Sequence, residues 1–302
     1  MSIGVLVMAH GTPSSPEEIA PFYTRIRRGR PPDDAQLAEL EARYRAIGGA
    51  SPLSERTSAQ VGALRRTLDA RAPGRFTVAF GAKHTEPFIE EAAASLAASG
   101  AERVLGLVLT PHGSSMGSQE YQDRAAAALV PRHIRFVALG PWYSEPALVA
   151  LLATRVREAC AAMPGRVVVF FTAHSLPARV RKAGDSYPEQ VAESARLVAA
   201  AAGVEEWGVA WQSAGRTPEP WLGPDVRDEV RRVAAAGGTD AVVVCPVGFV
   251  ADHLEVLYDL DVALAAVAAE AGVAYARTRS LNDDPAFVDV LADVVLAADS
   301  SG

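Results

Sequence analysis

The chain has little cysteine, no paired-cysteine motif and no long apolar run. Its 302 residues include two cysteines, Cys160 and Cys245, which lie far apart, so a Cys-x-x-Cys zinc or redox motif is excluded. Both suit a reducing cytoplasm, where a buried thiol acts as a small hydrophobic side chain. The apolar N-terminus lacks the basic region of a signal peptide, and no apolar stretch reaches the ~18 residues of a membrane span. We therefore expect a cytoplasmic protein without a transmembrane segment.

The charge balance excludes another class of partner. A formal net charge of −7 argues against a general nucleic-acid binder, because binding to phosphates needs a basic face. The bases are unevenly spread, however, and four arginines fall within six positions, at Arg25, Arg27, Arg28 and Arg30. Such a run is either the solvated end of a helix or a local patch for a small anionic ligand. We favour the small anion and expect no nucleic-acid partner.

Short β-branched runs alternate with longer helical stretches, which is typical of parallel sheets covered by helices on both faces. The predicted strands are Ile3–Met8, Phe76–Phe80, Val104–Leu109, Ile134–Val137, Val167–Phe171, Trp207–Trp211, Ala241–Val244 and Val273–Ala276. The predicted helices are Ala35–Ala46, Ser58–Ala70, Glu86–Ala98, Glu145–Ala161, Pro188–Ala201, Pro224–Ala236 and Pro285–Ala298. We expect an α/β fold with two similar Rossmann-like domains, each a four-stranded parallel sheet flanked by helices.

The two halves of the chain also echo one another. The first predicted strand leads into an Ala-His-x-x-Pro segment at residues 9–13, and the fifth leads into another at residues 173–177. We place the domains at residues 1–140 and 141–284, and expect the last helix, residues 285–300, to pack back on the first. Ligands bind at the carboxyl ends of strands in such sheets, so a cleft between the domains is expected.

The strand-end histidine His174 is the strongest candidate for chemistry. A lone histidine is more often a core residue, but this one stands where open α/β sheets place ligands. Asp252, Glu255 and Asp259 are spaced i, i+3 and i+7, which puts all three on one face of a helix. They are either a solvated acidic face or, beside apolar neighbours, carboxylates of raised pKa. A raised-pKa Glu255 opposite His174 would make a pair of proton acceptors.

Other patterns are weaker. His84 follows the second strand end and suits a structural role or a place in the cleft equally well. Asp252, His253 and His112 could be metal ligands, but no His-Glu-x-x-His spacing supports a zinc site. Residues 113–117 match Gly-x-Ser-x-Gly, the nucleophile elbow of hydrolases, with Ser115 in the nucleophile position. Because Pro111 and His112 separate the motif from its strand, we disfavour that activity.

Eight segments, taken together and in order, resemble the ferrochelatase family, and within it the coproporphyrin-using enzymes of Gram-positive bacteria. They are Met8–Pro13, Arg25–Pro31, Arg43–Leu53, Lys83–Phe88, Ala173–Pro177, Trp211–Ser213, Pro220–Pro224 and Val250–Asp259. The resemblance covers nearly the whole chain. It implies a class II chelatase-like fold, insertion of Fe²⁺ into a porphyrin with release of two protons, and coproporphyrin III favoured over protoporphyrin IX.

The resemblance also implies site residues. His174 and Glu255 would flank the macrocycle centre, as metal ligands and catalytic groups. The positions matched to substrate contacts are Thr12, Tyr23, Arg27, Arg43, Tyr44, Ser51, Tyr121 and Trp221, most of them to propionates. Arginine suits that role because its fork pairs bidentately with a carboxylate.

Two departures from the relatives stand out. His10 replaces a tyrosine on the metal-facing side and is a possible further ligand. Ala263 replaces a glutamate of an outer metal site, so that site is not predicted. Two cysteines cannot hold the [2Fe–2S] cluster of some relatives. We expect no permanently bound cofactor. We also expect the protein to be a monomer.

Three alternatives stay open at this point. A non-catalytic porphyrin or haem carrier would keep the arginines but would not need Glu255. A related chelatase would load another metal or another tetrapyrrole. The hydrolase would cleave esters through Ser115.

Overall fold

The computed structural model describes residues 2–215 and 217–300, whose strands form two parallel four-stranded sheets. The first sheet has β1 (Ile3–Ala9), β2 (Phe76–Ala82), β3 (Arg103–Val108) and β4 (Arg135–Ala138). The second has β5 (Val167–His174), β6 (Trp207–Gln212), β7 (Ala241–Cys245) and β8 (Ala274–Arg277). The strand orders are β2-β1-β3-β4 and β6-β5-β7-β8, so both halves repeat one topology. The predicted fold class is confirmed.

The central strands form where the sequence is continuously apolar. Every residue of β1 and of β7 is buried, as expected for parallel strands covered on both faces. β5 is three residues longer than predicted and ends at His174, which pairs with Gln212 of β6. The ladder therefore extends to the first residue of the candidate site.

The helices cover both sheets. They are α1 (Ile19–Ile26), α2 (Asp34–Ala46), α3 (Leu53–Arg71), α4 (Ile89–Ala98), α5 (Ser118–Leu129), α6 (Pro146–Ala161), α7 (Arg179–Lys182), α8 (Tyr187–Ala202), α9 (Val226–Ala236), α10 (Leu254–Val256), α11 (Ala265–Glu270) and α12 (Pro285–Ser300). The sequence prediction omitted α1, α5 and the four-residue α7. α1 is only eight residues long and contains Pro21, and α5 begins in a Gly/Ser-rich stretch, so both lie in segments that sequence patterns mark as loops.

The acidic segment differs from its predicted form. α10 runs directly into a π-helical stretch, Leu257–Leu264, which is followed by α11. π-Helical turns are rare and occur often at functional sites. Asp252 lies before α10 and not on it. It accepts hydrogen bonds from Ser280 Oγ (2.6 Å) and Asn282 Nδ2 (2.8 Å). The prediction that it shares a helical face with Glu255 is wrong, because these local partners hold it elsewhere.

One hydrophobic cluster runs through both halves and joins residues of β1 and β3 to residues of β5 and β7. α12 lies against α3 and α6, and Arg71 of α3 pairs with Asp289 and Asp293 of α12, both at 2.6 Å. The halves are therefore packed into a continuous body. Among the described residues, no helix is long and apolar enough to cross a membrane.

Candidate active site

The carboxyl ends of both sheets open onto one cleft of about 330 Å³. His10 follows β1, His174 ends β5, and the segment after β7 supplies Phe249, His253 and Glu255. Ligand sites in parallel α/β sheets lie at this edge because the strand ends leave a crevice there. Imidazoles, a carboxylate and apolar walls thus meet in one cavity.

His174 is held by its own backbone. Its Nδ1 lies 2.5 Å from the carbonyl oxygen of Ser175 and donates to it, which turns Nε2 toward the cleft. The Tyr187 hydroxyl donates to the carbonyl oxygen of His174 at 2.9 Å. Nε2 lies 3.3 Å from Glu255 Oε1, so the structure brings the two predicted catalytic residues together.

Glu255 is anchored at the start of α10. Its carbonyl oxygen accepts from Gln212 Nε2 at 3.1 Å, and Gln212 Oε1 accepts from the Thr172 hydroxyl at 2.8 Å. Its carboxylate lies between two imidazoles, because His253 Nε2 is 3.6 Å from Oε2. β5 and β6 thereby fix the main chain that carries the carboxylate.

His174 and Glu255 form an ion pair in the cleft. Burial alone would lower the pKa of His174, but the facing Glu255 carboxylate outweighs it and raises that pKa to about 9. Burial alone would raise the pKa of Glu255, but His174 and His253 hold it well below its usual range. The raised pKa predicted for Glu255 is therefore wrong. Its apolar neighbours in sequence do not reveal the two imidazoles that stabilise its charge.

His10 faces the same cleft from the first half. Its Nδ1 is 3.0 Å from the carbonyl oxygen of Gly11, and its ring centroid is 4.6 Å from that of His84. The enclosing cleft walls lower the pKa of His10, although Glu255 opposes the shift. Burial, with His10 next in importance, lowers the pKa of His84 to about 3. Both imidazoles are neutral at pH 7.

The predicted substrate contacts divide into two groups. Tyr121 lines the cleft. Thr12 and Tyr44 are buried beside it, with the Thr12 hydroxyl 3.4 Å from the Tyr44 hydroxyl, and burial raises the pKa of Tyr44 to about 12. Ser51 is also buried, and its hydroxyl accepts from the backbone N–H of Leu53, a residue of the cleft wall.

The remaining predicted contacts, like Thr12, Tyr44 and Ser51, are not among the residues that line the cavity. Arg27 donates to Gln36 Oε1 at 2.5 Å and lies over the Tyr23 ring at 5.5 Å. Trp221 Nε1 donates to the Thr217 hydroxyl at 2.9 Å. These groups already have protein partners, so a ligand would have to compete for them.

Arg43 connects the basic side chains of α2 to the π-helical stretch. Its guanidinium pairs with Glu39 at 3.1 Å, lies over the Tyr258 ring at 5.3 Å and is 3.8 Å from Asp259. The Ser213 hydroxyl donates to Asp259, whose pKa burial raises. Asp259, which matches a ligand of the outer metal site in some relatives, thus already has two protein partners here.

Sequence reasoning gave no role to several groups of the site. Gln212 and Ser213 belong to the Trp-Gln-Ser segment of the family resemblance, but no role was predicted for either residue. No sequence pattern indicated a role for Gln60. Lys83 lines the cleft and pairs with Glu120 at 2.8 Å. Their roles depend on contacts between distant segments, which a pattern along the chain does not show.

A second cavity, of about 360 Å³, adjoins the cleft but contains neither His174 nor Glu255. The Ser115 hydroxyl donates to Asp185 Oδ2 at 2.6 Å. His112, also at this cavity, has no partner for either ring nitrogen among the described residues. The hydroxyl of Ser115 thus bonds to a carboxylate and not to a histidine, so the geometry does not support the hydrolase interpretation.

The ferrochelatase family model matches residues 2–299, nearly the whole chain. The chain belongs to the ferrochelatase family. As a ferrochelatase it is a metal chelatase of the lyase class, and Fe²⁺ is a substrate of that family. The coproporphyrin III ferrochelatase of Geobacillus kaustophilus (strain HTA426) is 45% identical to it, over 97% of this chain and 95% of that protein. That of Bacillus subtilis (strain 168) is 44% identical, over 97% of each.

Solved structures show the same fold at low identity. SirB from Bacillus subtilis with Fe³⁺ superimposes on this ferrochelatase with a TM-score of 0.63 at 14% identity, covering 100% of this chain and 98% of that one. CbiX, described as the terminal enzyme of sirohaem biosynthesis in denitrifying bacteria, gives 0.55 at 16% identity, covering 98% and 99%. These likenesses place the fold among chelatases.

Proposed function

We propose that this ferrochelatase inserts Fe²⁺ into coproporphyrin III, with protoporphyrin IX as a poorer substrate. The observation that carries the proposal is the His174–Glu255 pair, 3.3 Å apart in an apolar cleft at the ends of both sheets. The choice of coproporphyrin III as substrate is supported by the two sequence relatives, which are coproporphyrin III ferrochelatases at 44–45% identity.

The chemistry needs two kinds of group. Fe²⁺ must exchange part of its hydration shell for protein ligands, and the two pyrrole N–H protons must leave as the metal enters. Imidazole suits ferrous iron, and both an imidazole and a carboxylate accept protons. Glu255 is ionised and can accept a proton directly. His174 is protonated while it pairs with Glu255, so it can ligate iron or accept a pyrrole proton only after it has released that proton. His10, on the wall from the first half, supplies a further neutral imidazole as a metal ligand.

The peripheral carboxylates of the porphyrin need cations and hydrogen-bond donors. The hydroxyls of Thr12 and Tyr44 lie 3.4 Å apart, Ser51 bonds to Leu53 of the cleft wall, and Arg27 and Arg43 lie on the same half of the chain. We propose these groups and Tyr121 as propionate contacts, with Tyr23 and Trp221 as flat contacts to the macrocycle. Four propionates use this set more fully than two, which favours coproporphyrin III.

The remaining features of the proposal concern the whole protein. We propose a cytoplasmic monomer without a resident cofactor or [2Fe–2S] cluster, whose partners are a porphyrin and ferrous iron. We also propose the division into domains at residues 1–140 and 141–284. It is supported by the separation of the sheets along the chain, while α12 lies against α3 of the first domain.

The test is an anaerobic assay with Fe²⁺ that follows porphyrin absorbance, with coproporphyrin III and protoporphyrin IX in parallel. We expect multiple turnovers, faster on coproporphyrin III, and loss of turnover in His174→Ala and in Glu255→Gln. Glu270→Gln on α11 is the matched control, because Glu270 is exposed and lies far along the same helical run.

Two results would contradict the proposal. Tight porphyrin binding without turnover, unchanged by Glu255→Gln, would leave a carrier. Faster turnover with another divalent metal or a more reduced tetrapyrrole would leave a chelatase of different substrate.

A further inference from the structure

The groups proposed to hold the porphyrin propionates lie on the first half of the chain, and the His174–Glu255 pair proposed to react with the macrocycle lies on the second. All the proposed propionate contacts are in residues 2–140, whereas His174 and Glu255 are in the second half. A porphyrin held by the first half must therefore be aligned with reacting groups held by the second. This alignment depends on contacts that join the halves beside the cleft.

Gln60 of α3 makes such a contact. Its side chain is 1% exposed and lies in the cleft wall. Its Nε2 donates to two carbonyl oxygens of the second half, those of Val250 (3.1 Å) and Asn282 (2.8 Å). Because both neighbours are acceptors, only Nε2 can face them, and the amide orientation is fixed. One buried amide thus connects α3 to the segment that precedes Glu255 by five residues.

Asn282 extends the connection toward Glu255. Its backbone N–H donates to the Val250 carbonyl oxygen at 2.8 Å, and its Oδ1 accepts from the Asp252 N–H at 2.9 Å. Its Nδ2 donates to Asp252 Oδ2 at 2.8 Å. Asn282 adopts a left-handed backbone with a φ of +46°, a conformation that usually needs surrounding contacts to hold it. The Gln60 amide is therefore bonded to a hydrogen-bond network of Val250, Asp252 and Asn282, which lies directly before α10.

We propose that Gln60 is a positioning residue, which aligns the porphyrin-binding half of the cleft with the His174–Glu255 pair. The inference rests on the proposed function. Gln60 touches no reacting atom and acts through Val250 and Asn282 on the segment that carries Glu255. Loss of its amide leaves the propionate contacts intact and lets the reacting pair shift relative to the bound macrocycle.

The test compares Gln60→Leu and Gln60→Met with wild type, measuring porphyrin dissociation constants and single-turnover insertion rates. We expect the insertion rate to fall at least ~10-fold with porphyrin affinity changed less than ~3-fold, since a displacement of about 1 Å costs up to ~10²-fold in rate. Gln60→Glu should fall further, because a carboxylate cannot donate to the two carbonyl oxygens.

Arg65→Met is the matched control. Arg65 is also on α3, and its Nη2 donates to the Val78 carbonyl oxygen at 3.0 Å, so its bond stays within the first half. We expect it to lower stability without separating rate from affinity. Asn282→Gly removes the side-chain bonds to Asp252 and so disrupts the same network from the second half. Its rate loss should not add to that of Gln60→Leu.

The outcomes are distinct. An unchanged insertion rate in folded Gln60→Leu or Gln60→Met overturns the proposal, as do additive losses with Asn282→Gly. An equal loss in Arg65→Met also overturns it, because general destabilisation would then explain the effect. If Gln60→Leu fails to fold, Gln60→Met and Asn282→Gly decide the question. An inactive wild-type protein would instead overturn the proposed function.

Discussion

His112 makes the stability of the fold depend on pH in a way that can be calculated. Its side chain is 1% exposed, stacked on Tyr143 at 5.4 Å and edge-on to Tyr187 at 6.1 Å. Neither ring nitrogen has a partner among the described residues, and burial lowers the pKa of His112 to about 3. In the unfolded chain the same imidazole titrates near 6.5. Between these two values the unfolded state binds the additional proton.

The sign and size follow from linkage. The stability due to neutral His112 is fully present above about pH 6.5 and is lost as the pH falls toward 3, since protons favour the unfolded chain there. At 1.36 kcal/mol per pKa unit, moving from pH 7 to pH 5 lowers the free energy of unfolding by about 2 kcal/mol through this residue.

The assay is urea unfolding followed by far-UV circular dichroism, at half-unit steps from pH 5 to pH 7. His112→Phe keeps an aromatic ring against Tyr143 and removes the titration. The wild-type free energy of unfolding should fall with decreasing pH by about 2 kcal/mol more than that of the variant. Parallel curves for the two proteins would refute the reasoning, because they would show that His112 keeps an ordinary pKa in the fold.

Three stability predictions depend on packing and can be checked by shifts in urea midpoint. Gly106→Ala should destabilise by about 1–3 kcal/mol, because an added Cβ would lie 2.4 Å from Phe136 Cζ; a stabilised variant would contradict this. Gly62→Ala, with its nearest neighbour at 3.5 Å inside α3, should stabilise by about 0.5–1 kcal/mol, and a loss would contradict it. Arg155→Met should cost about 3–5 kcal/mol, because buried Arg155 pairs with Asp284 at 2.7 Å; a loss below about 1 kcal/mol would contradict the pairing.

The architecture could be predicted from the sequence because its signals are local. Continuous apolar runs such as β1 and β7 specify buried parallel strands, and helical stretches between them leave few alternative topologies. The repeated Ala-His-x-x-Pro segment also indicated that both halves end their strands at one cleft. Strand β5 shows the limit of such signals, since its last residues become strand only by pairing with β6.

The charge states of the site could not be predicted, because they arise from residues that are distant in sequence. Glu255 stands among apolar residues in the chain, which predicts a raised pKa, yet it faces His174 across the cleft and is ionised. Asp252 matches the spacing of a helical face, yet partners near residue 280 hold it before the helix begins. Spacing alone could not reveal either set of partners.

Both the sequence and the geometry of the cleft indicate that His10 is a metal ligand. The coproporphyrin-using relatives that this sequence resembles carry a tyrosine at this position. A neutral imidazole is a stronger ligand for ferrous iron than a phenol. Here Nδ1 of His10 is near the Gly11 carbonyl oxygen, so Nε2 is the nitrogen left for a metal. Enclosure also lowers the pKa of His10, so a proton does not compete for that nitrogen at pH 7.

We therefore expect His10→Tyr to release ferrous product faster than wild type and to change the visible spectrum of the bound product. Stopped-flow transfer of product to an excess of apomyoglobin measures the release rate, and absorption of the enzyme–product complex reports axial ligation. His84→Asn is the matched control, because it alters the neighbouring ring and leaves the His10 imidazole in place. Equal release rates and identical spectra in wild type and His10→Tyr would show that His10 does not ligate the metal. The substitution would then affect only the packing against Phe22 and His84.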